Sequence, residues 1–150
     1  MLYYDYISSK TMIKKIIDDL CENYYKLCKY TKRKKITAQL LKSIPNSFGV
    51  YLFYQKGQII YVGRANDLHH RIVHNHLSKG KHGKTSSFQV KLHNKTKIPF
   101  NNIGGYIKKN LELKYIEVPD YDSSILLEAL LIKQWRGRKK HKLLNNEFKD

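Results

Sequence analysis

Two short runs of β-forming residues, separated by a turn, restrict the fold of this chain more than any other feature. The first run, residues 49–54, reads Gly-Val-Tyr-Leu-Phe-Tyr, and the second, residues 59–62, reads Ile-Ile-Tyr-Val. Valine, isoleucine and aromatic residues are enriched in strands, and Gly57 in the short connection is typical of a tight turn. The sequence therefore predicts a β-hairpin at this point of the chain.

The length of the hairpin loop decides whether Tyr51 and Tyr61 lie on one face of the sheet. Side chains alternate between the two faces of a strand. A two-residue loop at residues 56–57 places Tyr61 opposite Leu52, on the other face from its partner tyrosine. A loop of three or five residues brings both hydroxyls to one side. The sequence leaves the loop length open, and two structural tyrosines with ordinary hydrogen bonds are the alternative to a chemical role.

Helical periodicity flanks the hairpin on both sides. Before it, apolar residues recur at three- and four-residue steps over 10–29 and again over 36–44, where Pro45 ends the pattern. At 150 residues the chain is long enough for one domain with a hydrophobic core. The elements predicted after the hairpin are a helix capped by Asn66 and Asp67, a helix from Thr85 to His93, a helix over 100–110, a strand over 111–118 and a helix over 122–135.

The charge of the chain predicts a polyanionic partner. Its 29 lysines and arginines oppose 12 aspartates and glutamates, which gives a formal net charge of +17. A domain this basic attracts nucleic acid, whose phosphates it neutralises. An anionic membrane surface is less favoured because no basic helix carries a long exposed apolar face, and a basic protein without such a partner is the remaining alternative. The excess is clustered in three blocks: residues 32–35; Lys79, Lys81 and Lys84; and Arg136, Arg138, Lys139, Lys140 and Lys142.

The N-terminus and the cysteines indicate a cytoplasmic protein. Residues 1–5 show no charged segment followed by an apolar run, and no stretch approaches the roughly twenty apolar residues of a transmembrane helix. Cys21 and Cys28, the only cysteines, are seven residues apart, which fits one face of a helix. The spacing therefore predicts two buried thiols and argues against a disulfide or a zinc pair.

Glu128 is the only polar residue between Ile125 and Ile132. A helix that is apolar nearly all round is buried, and a lone carboxylate is costly to remove from water. A buried Glu128 therefore needs a basic side chain, a hydrogen-bonding hydroxyl or a metal ion. An internal salt bridge with an arginine or a lysine is the purely structural alternative.

Arg71 falls one turn beyond Leu68 on the helix predicted after the hairpin. We therefore expect its side chain near the core-facing side of that helix, where it needs an anion, either a carboxylate such as Glu128 or a phosphate. His74 and His76 follow within range of a phosphate contact or a proton transfer. The chain has seven histidines, so chance proximity is the alternative for each of them, and no His or Cys spacing is typical of a zinc site.

These residues together resemble the signature of the GIY-YIG nuclease superfamily. Gly49-Val50-Tyr51 is followed after nine residues by Tyr61-Val62-Gly63-Arg64, and then by Leu68 and Arg71. Downstream, residues 127–132 are similar to the helix that carries the family's metal-binding glutamate, and Leu143-Leu144-Asn145 is similar to the segment with its late asparagine. The resemblance covers about residues 45–147, which leaves residues 1–44 as a helical N-terminal extension ahead of a domain over 45–150.

The resemblance implies a fold and an activity. The fold is α+β, with a small, mainly antiparallel sheet of three strands, 49–54, 58–62 and 112–118, flanked by helices. The activity is that of a metal-dependent endonuclease that hydrolyses phosphodiester bonds in DNA. In such a site Glu128 holds one divalent cation, Mg²⁺ with Mn²⁺ as the alternative, because a single carboxylate completed by waters suits that ion.

The resemblance also implies a role for each remaining site residue. Arg71 binds and neutralises the scissile phosphate, and Arg64 contacts phosphate as well. Tyr51 and Tyr61 position the attacking water, and one of them, with the first slightly preferred, accepts its proton. That role requires a nearby cation or arginine to lower a phenol pKa that is ordinarily near 10. Asn145 shapes the site.

Two positions depart from the family's pattern. The gap between the two triplets is about one residue shorter than usual, which predicts a tight hairpin loop. Asn75 stands where the family often has a histidine, one helical turn after the arginine. If the helix shifts locally, His74 or His76 takes that role. We assign His76 to catalysis and His74 to DNA contact.

The first functional hypothesis is a DNA endonuclease of the restriction, homing, repair or branched-DNA type. Its partner is double-stranded or branched DNA, and it acts as a monomer or a homodimer. A non-catalytic DNA-binding module on the same fold and an RNA-directed nuclease are the alternatives. The joint presence of two tyrosines, an arginine and a glutamate favours the enzyme, because binding alone needs no buried carboxylate. DNA contacts are predicted from Arg64, His74, Lys79, Lys81, Lys84, Arg136, Arg138, Lys139 and Lys140.

Overall fold

Helices stand before, between and after the strands of this chain. The computed structural model describes residues 2–78, 86–138 and 142–145, with side chains described from Ser8 onward. The α+β class predicted from the sequence is confirmed. In chain order the elements are α1 (Leu2–Tyr25), a first π-helix (Lys26–Tyr30), β1 (Lys34–Lys35), α2 (Ala38–Ser43), β2 (Gly49–Gln55), β3 (Gln58–Ala65), a second π-helix (His70–His76), α3 (Ser87–Thr96), α4 (Phe100–Asn110), β4 (Glu112–Glu117) and α5 (Tyr121–Trp135).

The strands form one antiparallel sheet in the order β1-β4-β2-β3. Three of them, β2, β3 and β4, are the predicted strands. The fourth, β1, comes from the first basic block, and its Lys34 pairs with Leu113 of β4. The prediction of three strands missed it because two lysines carry neither the composition nor the alternation of a strand.

The hairpin of β2 and β3 turns on two residues. Lys56 and Gly57 both have positive φ, 49° and 79°, which is the conformation of a tight two-residue turn. Gln55 pairs with Gln58 across it. The tight loop predicted from the short gap between the triplets is therefore confirmed.

A bulge follows this turn and changes which side chains share a face. Tyr54 pairs with Ile59, whereas Phe53 pairs with Tyr61, so Ile60 is an extra residue in β3. The extra residue moves the second signature tyrosine back to the face of the first. The expectation that a two-residue loop places the two tyrosines on opposite faces is wrong, because the bulge adds the residue that a longer loop would have supplied.

Helices cover both faces of the sheet and create two hydrophobic layers. On one face, Tyr51, Phe53 and Tyr61 pack with the second π-helix, α3 and α4. On the other face, Val50 and Val62 pack with α5 and the end of α1. Burial on both faces explains why β2 and β3 read as nearly continuous apolar runs.

The N-terminal residues contribute to both layers. Leu27 packs in the layer with α5, and Ile36, Leu40 and Ile44 pack on the opposite face. By contrast, every residue of α1 from 8 to 19 is exposed. The division of the chain after residue 44 stays a prediction.

Two further predictions concern the burial of the cysteines and the absence of a membrane-spanning helix. Cys28 is half-buried, but Cys21 is exposed, so the prediction of two buried thiols is wrong for Cys21. Cys21 lies between Leu20 and Tyr24, which pack in the layer with α5, but its own side chain is on the exposed side of α1. Among the described residues, none of the helices has the length and apolar character needed to cross a bilayer.

Candidate active site

Tyr51 and Tyr61 lie side by side on one face of the hairpin, with ring centres 6.3 Å apart. Tyr51 is 1% exposed and Tyr61 is 9% exposed, so both phenols are almost completely removed from water. Phe53 and Phe88 pack against their rings. The bulge at Ile60 aims the second tyrosine at the first.

Two glycines of the signature leave room for neighbouring side chains. Gly63 lies opposite Tyr51 in the sheet, and a Cβ atom there would overlap the tyrosine ring. A Cβ atom at Gly49 would overlap the side chain of Leu68 and the backbone of β4. The absence of side chains at both positions lets the Tyr51 phenol lie over β3 and lets the chain after the hairpin close against the sheet.

A chain of hydrogen bonds leads from Tyr51 into the protein. The Tyr51 hydroxyl lies 2.5 Å from Nε2 of His76, and Nδ1 of His76 lies 2.8 Å from Oγ of Ser86. Ser86 Oγ also accepts the backbone N–H of Gln89 as the N-cap of α3. Both ring nitrogens of His76 and the Tyr51 hydroxyl have hydrogen-bond partners when Nδ1–H donates to Ser86 and the Tyr51 hydroxyl donates to Nε2. The sequence predicts a helix from Thr85 to His93 but contains no signal for the bond between Ser86 and His76.

Burial keeps both tyrosines and His76 uncharged at neutral pH. It raises the pKa of Tyr51 well above its ordinary value, and Arg71 opposes this rise without overcoming it. Burial also raises the pKa of Tyr61, while a hydrogen bond with Ser87 acts in the opposite direction. Burial, with the positive charge of Arg71 as a smaller cause, lowers the pKa of His76 to about 3.

The second π-helix explains why the histidine comes one position later than in the family's pattern. Its last turn closes with a bond from the N–H of Leu77 to the carbonyl of Ile72, five residues back, where an α-helix reaches back four. His76 lies under the sheet and is 1% exposed. Asn75, at the usual position, lines an outer cleft. Of the two histidines considered, the wide turn brings His76 to the tyrosines.

Arg71 is exposed and lines this open cleft of about 340 Å³. The expectation that it lies near the core-facing side of its helix is wrong, because Leu68 and Ile72 occupy that side. Two arginines at one polar cleft suit the binding of a phosphate. The other residues that line the cleft are Arg64, Ala65, Asn66, Asp67, His70, Asn75 and Tyr121.

Glu128 extends from α5 and forms an ion pair with Arg64. The distance from Arg64 Nε to Glu128 Oε2 is 2.9 Å, and the two side chains are 32% and 24% exposed. Burial raises the pKa of Glu128, and the charges of Arg64 and Arg71 oppose the rise. The guanidinium of Arg64 also lies 4.9 Å from the ring centre of Tyr121. The internal salt bridge considered as the structural alternative for Glu128 is therefore present, and Arg64 is its partner.

The charge of Arg71 connects the groups of the site. It affects the pKa values of Glu128, His76 and both signature tyrosines. Glu128 in turn raises the pKa of both tyrosines. Tyr51, Tyr61 and His76 pack together, and Arg64, which is paired with Glu128, lines the same cleft as Arg71. They come from β2, β3, the second π-helix and α5, so four elements supply one site.

Asn145 holds the free edge of β3. Its side-chain oxygen accepts the N–H of Val62 at 2.9 Å, and its side-chain nitrogen donates to the Val62 carbonyl at 2.6 Å. The N–H of Leu144 donates to the carbonyl of Ile60 in the bulge. Val62 follows Tyr61 directly, so Asn145 steadies the backbone that carries this tyrosine and does not itself reach into the cleft through these bonds.

The residues predicted to contact DNA outside the cleft are only partly described. Arg136 and Arg138 are exposed just beyond α5, and the guanidinium of Arg138 lies 4.4 Å from the ring centre of Trp135. His74 is exposed on the second π-helix. Lys79, Lys81, Lys84, Lys139 and Lys140 lie outside the described residues.

The donor set at the cleft fits a hard divalent cation with water ligands. Within residues 8–78, 86–138 and 142–145, no three His, Cys, Asp or Glu side chains come together to hold a metal. Glu128 is a single, partly exposed carboxylate beside an open polar cleft. One carboxylate with several waters is a usual arrangement for Mg²⁺, whereas zinc takes three or four protein ligands.

The buried, neutral His76 predicts a loss of stability in mild acid. Its pKa of about 3 lies below the ordinary 6.5, so between these values the unfolded chain binds a proton that the folded chain does not. We expect the free energy of unfolding to fall by about 1.6 kcal/mol from this group alone between pH 6.5 and pH 5. Urea unfolding at the two pH values measures it. His76→Gln should lose this pH dependence and His74→Gln, at an exposed position, should keep it; equal pH dependence in all three proteins would contradict the assignment.

Comparison with known proteins identifies the same family that the sequence signature resembles. The model of the GIY-YIG catalytic domain matches residues 47–142. UvrABC system protein C of Christiangramia forsetii is 37% identical over 99 residues, which are 65% of this chain and 14% of that protein. The corresponding protein of Flavobacterium psychrophilum is 33% identical over 99 residues, with the same coverage. This chain thus spans only about 14% of the length of these curated relatives.

Solved structures of similar chains come from the GIY-YIG N-terminal endonuclease domain of UvrC from Thermotoga maritima. A point mutant bound to its catalytic divalent cation is 25% identical, with a TM-score of 0.48 over 73% of this chain and 93% of that one. The magnesium-bound domain is 27% identical, with a TM-score of 0.44 over 72% and 93% of the two chains. With the family's catalytic-domain model matched over residues 47–142, this chain belongs to the GIY-YIG family.

Proposed function

We propose that this chain is a divalent-cation-dependent endonuclease that hydrolyses phosphodiester bonds in DNA. The observation that carries the proposal is the pairing of Glu128 with Arg64 beside the cleft that Arg71 lines, with the two signature tyrosines and His76 packed together on one face of the neighbouring hairpin. Family membership and the formal net charge of +17 support it. The solved relatives named above are endonuclease domains bound to a catalytic divalent cation.

Arg71, and a cation bound by Glu128, neutralise the negative charge of the phosphate. Arg71 is exposed at the cleft, where its guanidinium can donate two hydrogen bonds to a phosphate and neutralise part of its charge. Glu128 holds the cation, Mg²⁺ with Mn²⁺ as the alternative. When bound, that cation supplies positive charge for the phosphate and polarises a water. Arg64, now paired with Glu128, is the second cation within reach of a DNA phosphate.

The proton of the attacking water is transferred to Tyr51 as Tyr51 gives its own proton to His76. Tyr51 keeps its proton at neutral pH, so it can accept another only if its own leaves at the same time. The proton that leaves Tyr51 passes to Nε2 of His76, which lies 2.5 Å from the hydroxyl. Ser86 keeps the ring in position through a hydrogen bond with Nδ1. A bound phosphate beside Arg71 offsets part of the positive charge that disfavours a protonated His76. Tyr61 orients the water from the other side.

A cutting assay separates this function from its two alternatives. The purified chain is incubated with supercoiled plasmid, four-way branched DNA and structured RNA, each in Mg²⁺, Mn²⁺ or EDTA. The proposal requires cutting of DNA with a divalent cation and none in EDTA. Binding without cutting on every substrate would support the non-catalytic module, and cutting of RNA alone would support the RNA-directed nuclease.

A further inference from the structure

The ion pair between Arg64 and Glu128 engages the carboxylate that the proposed function assigns to the cation. Nε of Arg64 lies 2.9 Å from Oε2 of Glu128 and donates a hydrogen bond to it. An oxygen that accepts this bond has less electron density to offer a cation, and the guanidinium repels a second positive charge placed beside it. Arg64 and a divalent cation therefore compete for the same carboxylate.

The competition ends only when the arginine side chain moves. An arginine in a folded protein keeps its charge, so loss of a proton does not release Glu128. The two side chains are 32% and 24% exposed, so the pair lies partly in contact with water. Breaking an ion pair this exposed costs the equivalent of up to about a fivefold change in an equilibrium constant. Another anion in the cleft is therefore enough to draw Arg64 away.

The cleft supplies the surroundings for such an exchange. The guanidinium of Arg64 lies 4.9 Å from the ring centre of Tyr121, a contact that does not depend on Glu128. Arg64, Arg71 and Tyr121 line the same open cleft. Arginine pairs with phosphate as well as with carboxylate, so a DNA phosphate held by Arg71 is a second anion for Arg64. When DNA is bound, Arg64 thus has two anionic partners at one cleft.

We propose that Arg64 couples the binding of the cation to the binding of DNA. In the free chain it pairs with Glu128 and weakens cation binding. A DNA phosphate draws it from the carboxylate, and the cation then takes its place. Each ligand raises the affinity of the chain for the other, because the ion pair has to be broken only once when both are bound. The coupling rests on the proposed cation site at Glu128.

The affinity of the free chain for Mn²⁺ tests the competition without any cutting of DNA. Electron paramagnetic resonance measures the unbound Mn²⁺ as the purified chain is added. Arg64→Met keeps a long side chain but removes the charge and the donors, so it should bind Mn²⁺ about fivefold more tightly than wild type. Arg71→Met removes a charge from the same cleft that forms no ion pair with Glu128 in the described part of the chain, and should change the affinity about twofold or less.

Glu128→Gln separates a failure of the coupling from a failure of the cation site. If Glu128→Gln loses Mn²⁺ binding while wild type and Arg64→Met bind it equally, the cation site stands and the competition is disproved. Equal gains in Arg64→Met and Arg71→Met would show an effect of charge alone, which also contradicts the competition. Mn²⁺ binding that survives Glu128→Gln would remove the cation site and the coupling together.

DNA affinity provides the reciprocal measurement. In a Tyr51→Phe background, which lacks the hydroxyl that takes the proton of the water, the duplex should stay uncut. Fluorescence anisotropy of a labelled duplex, in Mn²⁺ or in EDTA at matched ionic strength, gives the factor by which the cation raises DNA affinity. This factor should be about fivefold larger with Arg64 than with Arg64→Met, because only the chain with Arg64 has the ion pair to break. The same factor in both chains would overturn the proposal.

Discussion

Glu128→Gln is expected to lower the rate of DNA cutting by about 10³-fold or more, equivalent to about 4 kcal/mol of transition-state stabilisation. The amide keeps the size of the side chain but removes the charge that we propose holds a divalent cation. Its ion pair with Arg64 lies partly in contact with water, so losing it should change the free energy of unfolding by about 1 kcal/mol or less. Single-turnover cutting of plasmid in Mg²⁺ measures the rate, and thermal unfolding checks the fold.

The matched control for this variant is Glu117→Gln. Glu117 is exposed, accepts a hydrogen bond from Ser47 and does not line the cleft, so its replacement should alter the cutting rate less than twofold. Cutting by Glu128→Gln at the wild-type rate would show that the cation is held elsewhere. In that case the ion pair with Arg64 would be the whole role of this carboxylate.

Arg71→Ala is expected to lower the cutting rate about 10²- to 10³-fold, because a phosphate in the cleft loses its exposed arginine. The side chain lies outside the core, so the melting temperature should change little. Arg71→Lys keeps the charge but not the two-pronged hydrogen bonding and should lie between Ala and wild type. Initial cutting rates at several plasmid concentrations measure the effect.

A control for the lost charge is Lys108→Ala, which removes an exposed cation from α4. Its cutting rate should stay within about twofold of wild type, because α4 does not line the cleft. Arg71→Ala cutting as fast as Lys108→Ala would remove the phosphate role assigned to Arg71.

The sequence predicts the strands well because their composition and period are local properties. Residues 49–54 and the β-rich stretch before Ala65 form β2 and β3, as expected. The face that Tyr61 occupies depends on the extra residue Ile60, and the sequence contains no local signal for a bulge there. Loop length alone therefore gives the wrong face, although the family signature anticipates two tyrosines on one side.

The second π-helix is another feature that the sequence does not predict. An α-helical period places Arg71 near the core and Asn75 at the histidine position. Arg71 is exposed because Leu68 and Ile72 take the core side, and the wider turn that follows buries His76 beside Tyr51. A π-turn depends on packing against the sheet as much as on local composition, so a helical wheel does not reveal it.

Glu128 illustrates what composition can and cannot decide. Its isolation in an apolar run correctly indicates that it needs a partner. Among the possible basic partners, only the folded chain identifies Arg64, which comes from β3 and also contacts Tyr121. Pairing across 64 residues of chain is a tertiary property, and the sequence by itself leaves the salt bridge and the metal site as equal alternatives.

Paramagnetic broadening in the NMR spectrum of the ¹⁵N-labelled chain tests most directly whether one cation site joins these side chains. Mn²⁺ added below one equivalent should broaden the backbone signals around Glu128, Arg64 and Arg71 and leave those of β1, at the opposite edge of the sheet from β3, sharp. In Glu128→Gln the same signals should stay sharp, while Glu117→Gln should behave as wild type. Broadening centred on another part of the chain, or unchanged in Glu128→Gln, would contradict the account.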